Sequence, residues 1–154
     1  MFVEYREAEI SDFRAISNLA NRVFDKYVGP SYSQQGCTVF HKFMEPEAIL
    51  ERYKSGNFPL WVAIVGEEII GIIGLRNWNH ICILFVDGKY QKLGIAKKLF
   101  ELARDKAIDR KQIKEIKVHS SLYAVEIYKK LGFKALDDEQ EQDGIKFFPM
   151  KLYL

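Results

Sequence analysis

The chain has 154 residues, of which 48% are hydrophobic, and its formal net charge at pH 7 is +2. This length is sufficient for one domain with a hydrophobic core, and we expect residues 1–154 to form a single domain. The small net charge does not provide the concentrated basic surface that nucleic acid or an anionic membrane attracts, so we expect neither as a partner.

The two cysteines, Cys37 and Cys82, are too few for a disulfide framework. The first residues lack the basic segment and apolar run of a signal peptide, and no stretch approaches the roughly 18 apolar residues of a membrane span. We therefore expect a cytoplasmic protein. The three histidines stand in no metal-ligand spacing, so no metal site is expected.

In the N-terminal half, the residue patterns predict one strand, two helical regions and a β-hairpin. Residues 2–8 alternate as in a short strand, and Ser11 then offers a side-chain oxygen to cap a helix that runs to about Tyr27. A second helical region follows a polar loop, and we expect it to form the wall of a substrate site. The hairpin consists of two β-rich runs, residues 60–65 and 69–75.

The central part of the chain predicts a buried strand followed by a helix. Residues 80–86 are almost all apolar, which indicates a strand covered on both faces. The chain then turns and enters a helix over residues 94–108, with Gly94 in its first turn. The N–H groups of a first turn have no intrahelical acceptor and lie at the positive end of the helix dipole, so they can bind a phosphate. Gly94 allows the phosphate to approach closely.

The C-terminal part alternates strands with one more helix. We predict strands at residues 114–119, 133–136 and 145–154, and a helix at residues 121–131. The segment Asp137–Gly144 between the last two strands is too charged to be buried and indicates a hairpin loop.

Two motifs resemble those of the GNAT superfamily (general control N-acetyltransferase-related). The segment Gln91-Lys92-Leu93-Gly94-Ile95-Ala96 is similar to the family's Gln/Arg-x-x-Gly-x-Gly/Ala loop for the pyrophosphate of acyl-CoA. Tyr128, followed by Gly132-Phe133, resembles the second signature, a helix that ends in Tyr-x-x-x-Gly-Phe. The order of elements is also that of the GNAT fold. The resemblance implies an α/β (α+β) protein with a mixed, mostly antiparallel central sheet of about seven strands, flanked by about four helices and splayed between strands four and five.

The same resemblance implies an N-acetyltransferase that moves an acetyl group from acetyl-CoA to a primary amine by direct attack in a ternary complex. The strand before the loop would pair its backbone with the pantetheine arm at Phe85 and Val86. Lys92 would either reach the 3′-phosphate or be solvated. Ser121 stands where the family often has an asparagine. The implied acetyl-CoA-binding residues are Leu84, Phe85, Val86, Gln91, Lys92, Leu93, Gly94, Ile95, Ala96, Lys97, Ser121 and Tyr128.

Tyr128 and His80 are the candidate catalytic residues. A lysine-like amine has a pKa near 10.4, so presenting it uncharged at pH 7 requires about 4 to 5 kcal/mol unless a base takes the proton. His80, with an ordinary pKa near 6.5, could accept that proton directly or through water, and a water chain to solvent is the alternative. Tyr128 could protonate the departing thiolate. Each residue could instead be structural, His80 in packing and Tyr128 on the inner face of a helix.

The sequence leaves the acyl acceptor open between a small-molecule amine and a peptide or protein amine. The acidic segment 137–143 could attract a cationic amine or could be a solvated hairpin. A set of aromatic residues could line an acceptor pocket or belong to the core: Tyr27, Tyr32, Phe40 and Trp78. The alternative function is a non-catalytic acyl-CoA-binding regulatory module of the same fold, and the protein could be a monomer or a homodimer.

Overall fold

An eight-stranded sheet organises the fold in the computed structural model, which describes residues 1–154. The strands are β1 (Glu4–Glu7), β2 (Leu60–Val65), β3 (Glu68–Arg76), β4 (His80–Val86), β5 (Glu115–Ser120), β6 (Lys134–Ala135), β7 (Gln140–Gln142) and β8 (Ile145–Tyr153). Their order is β1-β2-β3-β4-β5-β8-β6, with β7 paired to β8. Only β4 and β5 pair in parallel, so the mixed, mostly antiparallel sheet is confirmed.

Five α-helices cover the two faces of the sheet. They are α1 (Phe13–Val23), α2 (Gln34–Phe43), α3 (Pro46–Lys54), α4 (Ile95–Lys111) and α5 (Val125–Lys130). Residues of α1 and α3 share one buried cluster with β2 and β3, and residues of α4 and α5 share another with the opposite face of the sheet. The central strands are therefore buried on both faces, as their apolar runs predict. None of the helices combines the length and the hydropathy needed to cross a membrane.

The start of the first helix differs from the sequence-based expectation. A 3₁₀ turn over Ile10–Asp12 precedes α1, and the Asp12 carboxylate accepts hydrogen bonds from the Glu9 N–H and from Arg6, each at 2.7 Å. Ser11 is exposed and makes no capping bond, so the prediction that it caps the helix is wrong. Asp12 is the residue at the N-cap of α1, but its carboxylate bonds to Glu9 and Arg6, so no side chain caps the first turn of α1.

The pairing of β4 changes partway along the strand and opens a gap in the sheet. Gly74 of β3 lies opposite Ile83, but the next residue, Leu75, lies opposite Ile81, so Cys82 is an extra residue that forms a β-bulge. On its other side, β4 pairs with β5 only at His80 and Ile81. From Cys82 onward the two strands separate, which confirms the predicted splay between strands four and five.

Candidate functional site

The gap between β4 and β5 leads into a cavity of about 270 Å³. Both catalytic candidates, His80 and Tyr128, line this cavity, and so do Leu84, Phe85 and Ser121. These residues come from β4, from α5 and from the turn that precedes α5. The structure therefore brings together residues that lie more than 40 positions apart in the sequence.

The backbone of β4 faces the gap at every second residue. Asp87 donates its N–H to the carbonyl of Ile70 on β3 at 2.8 Å. Because peptide groups alternate in direction along an antiparallel strand, Leu84 and Val86 direct their N–H and C=O groups away from β3, toward the gap. The Val86 carbonyl accepts a hydrogen bond from Nε2 of Gln91 at 3.0 Å. This edge of β4 can thus pair with an extended ligand.

Beside the gap, the loop before α4 presents a row of free backbone donors. The N–H groups from Gln91 to Lys97 donate to no acceptor in the chain. Gly94 has φ +83° and lies immediately before α4, not in its first turn as the sequence suggested. Glycine adopts this left-handed backbone conformation without strain. A Cβ added at Gly94 would meet no atom of the chain within 4 Å. The outer side of the loop is consequently open to an anion.

The side chains of this loop are mostly exposed. Lys92, Gly94 and Lys97 are exposed, and so is Leu93, whereas Ile95 is buried in the core. Two cations therefore lie next to the free backbone donors, an arrangement that favours phosphate groups.

Tyr128 reaches the cavity from α5 with its ring fixed in the core. Its residue exposure is 5%, and its ring packs edge-on against Phe133 with centroids 5.5 Å apart. Burial, followed by the nearby Cys82, raises the pKa of the Tyr128 hydroxyl above its ordinary range. The hydroxyl makes no hydrogen bond to another residue. It is a protonated donor without a partner in the chain.

The Ser121 side chain is committed to local structure. Its Oγ accepts a hydrogen bond from the Ala124 N–H at 3.2 Å, and the backbone N–H of Tyr128 in turn donates to the carbonyl of Ala124 at 3.1 Å. Ser121 therefore shapes the turn that leads to α5, and it lines the cavity at the same time.

His80 begins β4, and its imidazole packs edge-on against His119 with centroids 4.7 Å apart. Burial, and then the charges of Arg76, His119 and Lys117, lower the pKa of His80 to about 3. The imidazole is neutral throughout the physiological pH range, and its protonation is about 5 kcal/mol less favourable than that of a free imidazole. His80 can accept a hydrogen bond in the cavity, but it is a weak base.

The bulge residue Cys82 also lines the cavity. Burial is the main cause that raises its pKa to about 11, so it remains a neutral thiol near pH 7. A protonated thiol is a poor nucleophile.

The four aromatic residues that the sequence leaves open between pocket and core divide between the two positions. Tyr32 and Phe40 line the cavity, but Tyr27 and Trp78 do not. Trp78 belongs to the core cluster and donates its indole N–H to a backbone carbonyl, whereas Tyr27 stacks on Tyr123 at 5.1 Å. Both residues pack against other parts of the chain, and these contacts cannot be predicted from the sequence.

Several residues of the cavity are not predicted from the sequence. Phe24 and Ile145 line it, and Arg76 lies at the end of β3, opposite His80, whereas Phe43 lies in the helical region expected to form the wall. The apolar residues follow ordinary core spacing and carry no separate signal. Arg76 could have been found, because it ends an apolar strand and faces a histidine across a short turn.

Comparisons with known proteins give a family and a fold. A family model described as an acetyltransferase (GNAT) domain matches residues 28–154. No curated protein matches the sequence at a significant level. PaiA N-acetyltransferase from Thermoplasma acidophilum, in complex with coenzyme A, is similar at a TM-score of 0.83 with 21% identity over 100% of both chains.

Two other solved structures are also similar over nearly the whole chain. The N152L mutant of spermidine N-acetyltransferase SpeG from Vibrio cholerae has a TM-score of 0.69 and 18% identity, covering 98% of this chain and 93% of its own. The apo form of YjaB from Escherichia coli has a TM-score of 0.70 and 24% identity, covering 99% and 97%. At these identities the structural likeness supports the fold alone.

Proposed function

Because the chain belongs to the GNAT acetyltransferase family, we propose that it transfers the acetyl group of acetyl-CoA to a primary amine. Membership makes it an acyltransferase, and acetyl-CoA is the co-substrate of GNAT enzymes. One observation carries the proposal: a row of free backbone donors, an unpaired strand edge and an unpartnered tyrosine hydroxyl surround one cavity. We also propose that residues 1–154 are a single acetyltransferase domain, since β1 and β8 belong to one sheet.

The acetyl-CoA site in this proposal uses mainly backbone. The N–H groups of Gln91, Lys92, Leu93, Gly94, Ile95, Ala96 and Lys97 bind the pyrophosphate, and the two lysines add positive charge. The peptide groups of Leu84 and Val86 pair with the amides of the pantetheine arm. Phe85 and Ser121 flank the arm from the cavity wall.

Tyr128 stabilises the leaving group. The thiol of the released CoA has an ordinary pKa of about 8.5, so negative charge builds on sulfur as the thioester breaks. The buried hydroxyl of Tyr128 remains protonated and has no competing partner, which leaves it free to donate a hydrogen bond to the sulfur. It acts as a donor aimed at the charge that develops in the transition state.

His80 is the proposed acceptor for the N–H of the attacking amine. Its lowered pKa argues against removal of a proton from an ammonium ion, so the amine enters neutral. The nitrogen attacks the thioester carbonyl, the C–S bond breaks, and the amine proton passes through water while the thiolate is protonated. Products are an N-acetyl amide and the free thiol.

Direct attack is preferred to an acetyl-enzyme intermediate because the one thiol in the cavity, Cys82, is held neutral by its raised pKa. The experiment for the whole proposal is a panel of amines and peptides assayed for release of free thiol from acetyl-CoA. Amine-dependent release supports the function. Binding of acetyl-CoA without release for any amine would instead identify a regulatory binding module.

A further inference from the structure

The part of the cavity lined by Arg76 and His80, which we call the acceptor end, contains positive charge and no carboxylate. No Asp or Glu lines the cavity, and Arg76 is its one permanently charged residue. Arg76 pairs with His80 across β3 and β4, and directly opposite residues have Cα atoms about 4.5 to 5.5 Å apart on the same face of the sheet. Arg76 forms no ion pair with any carboxylate of the chain. Arg76 is also exposed, so its guanidinium is a solvated but unpaired partner for an anion in the cavity.

Other groups around this end of the cavity add to the same field. Arg76 lowers the pKa of both His80 and His119, although burial is the larger cause for each. Arg52 lies behind the aromatic wall, with its guanidinium carbon 3.7 Å from the ring centroid of Phe43. Both arginines act on the Cys82 thiol. An ammonium group in this cavity would be repelled by both arginines.

The remaining wall is apolar and aromatic. Phe24 and Phe40 stack with ring centroids 3.9 Å apart, and Phe40 meets Phe85 edge-on at 5.8 Å. The acidic side chains of residues 137–143 are exposed and line no part of the cavity. A volume of about 270 Å³ is just below the usual range for small-molecule sites, so the cavity suits a small acceptor.

We propose that the acetyl acceptor is a small primary amine that carries a carboxylate on an apolar or aromatic body, and that Arg76 binds this carboxylate. The inference rests on the proposed function and specifies its substrate class. The five N–H donors of a guanidinium match a carboxylate in a bidentate pair, which would direct the amine toward His80 and the thioester. Polyamines lack the anion and carry the disfavoured second cation.

The test compares phenylalanine, phenylalaninamide and spermidine as acceptors, with thiol release from acetyl-CoA as the assay. In the wild-type protein, phenylalanine has the highest kcat/KM. Arg76→Gln lowers kcat/KM for phenylalanine by about 10- to 100-fold, mainly through KM, and changes the amide little. The ratio of kcat/KM for phenylalanine to kcat/KM for phenylalaninamide is compared between variants, so the difference in basicity between the two amines cancels. Arg76→Glu shifts the preference toward spermidine.

Arg14→Gln is the matched control, because it removes the same charge from an exposed helix residue outside the cavity. It should leave the ratios of kcat/KM between the three substrates unchanged. A wild-type preference for spermidine, or an equal loss for both phenylalanine substrates in Arg76→Gln, overturns the proposal. If no amine is acetylated, the proposed function fails separately. Calorimetric titration of N-acetylphenylalanine and its amide into the CoA-loaded protein then decides the carboxylate site, since only the acid should lose affinity in Arg76→Gln.

Discussion

Replacing Tyr128 by phenylalanine removes a single oxygen from the cavity and retains the aromatic ring. The ring is 5% exposed and packs against Phe133, and the variant preserves this contact. The hydroxyl makes no hydrogen bond within the chain, so its loss leaves no buried partner unsatisfied. We therefore expect the free energy of unfolding and the affinity for acetyl-CoA to change little.

Turnover should respond differently. Removing one donor aimed at developing negative charge lowers kcat by about 10²-fold, which corresponds to about 2.7 kcal/mol in the activation barrier. Because the pKa of Tyr128 is raised, the hydroxyl remains protonated beyond pH 10, and wild-type turnover should not decline through its ionisation below that pH.

The assay is kcat from thiol release, with acetyl-CoA affinity from calorimetry and stability from urea unfolding. Tyr53→Phe is the control, since Tyr53 packs edge-on against Phe13 at 5.2 Å and lies outside the cavity. Its turnover should equal that of the wild type. If Tyr128→Phe retains kcat within about 3-fold, solvent protonates the thiolate and the tyrosine is structural.

Two further predictions concern the loop and the histidine. Gly94→Ala strains a residue at φ +83° and places a methyl group at the free N–H row, so acetyl-CoA affinity should fall at least about 10-fold in calorimetry. Gly56→Ala has a matching φ of +79° and similarly open space, so it should show the same strain with unchanged affinity, and equal losses would refute the loop assignment. His80 has a folded pKa of about 3, below its unfolded value, so its neutral form favours folding and stability is lost as pH falls below 6.5. Between pH 7 and pH 5, the free energy of unfolding measured with urea should fall by about 2 kcal/mol more in the wild type than in His80→Gln. Equal falls in the two proteins would contradict the burial of His80.

The buried strands could be predicted closely from the sequence. The apolar run at residues 80–86 corresponds to β4 residue for residue, and the hairpin runs differ from β2 and β3 by at most one residue at an end. These strands are buried on both faces, and a strand buried on both faces appears in the sequence as a continuous apolar run. The segment Asp137–Gly144 is predicted to be a loop, but its residues Gln140–Gln142 form β7. These three residues are exposed and are held only by backbone pairing with β8, so their side chains carry no strand signal.

The candidate site was less accessible to sequence reasoning. The two motifs located the loop and Tyr128, because local spacing marks a turn before a helix. The bulge at Cys82 depends on how β4 aligns with β3, and the opposition of Arg76 and His80 depends on the same register. The shift in the pKa of His80 follows from burial by other elements. Such properties arise only when distant segments meet.

The interruption between β4 and β5 creates a sheet edge inside the molecule. Outer edges of sheets are commonly protected against pairing with other chains by charges, prolines or short strands. Here the edge lies within the sheet, because β4 pairs with β5 only at His80 and Ile81, and residues of β4 beyond that point line the cavity and can meet an extended ligand there. Because the ligand is bound by main-chain groups of β4, the identity of the side chains on this strand is less constrained by ligand binding. The Leu84 side chain, which lines the cavity, can exchange for others of similar volume without loss of the pairing groups, and such changes would adjust the shape of the cavity without altering the backbone hydrogen bonds to the ligand.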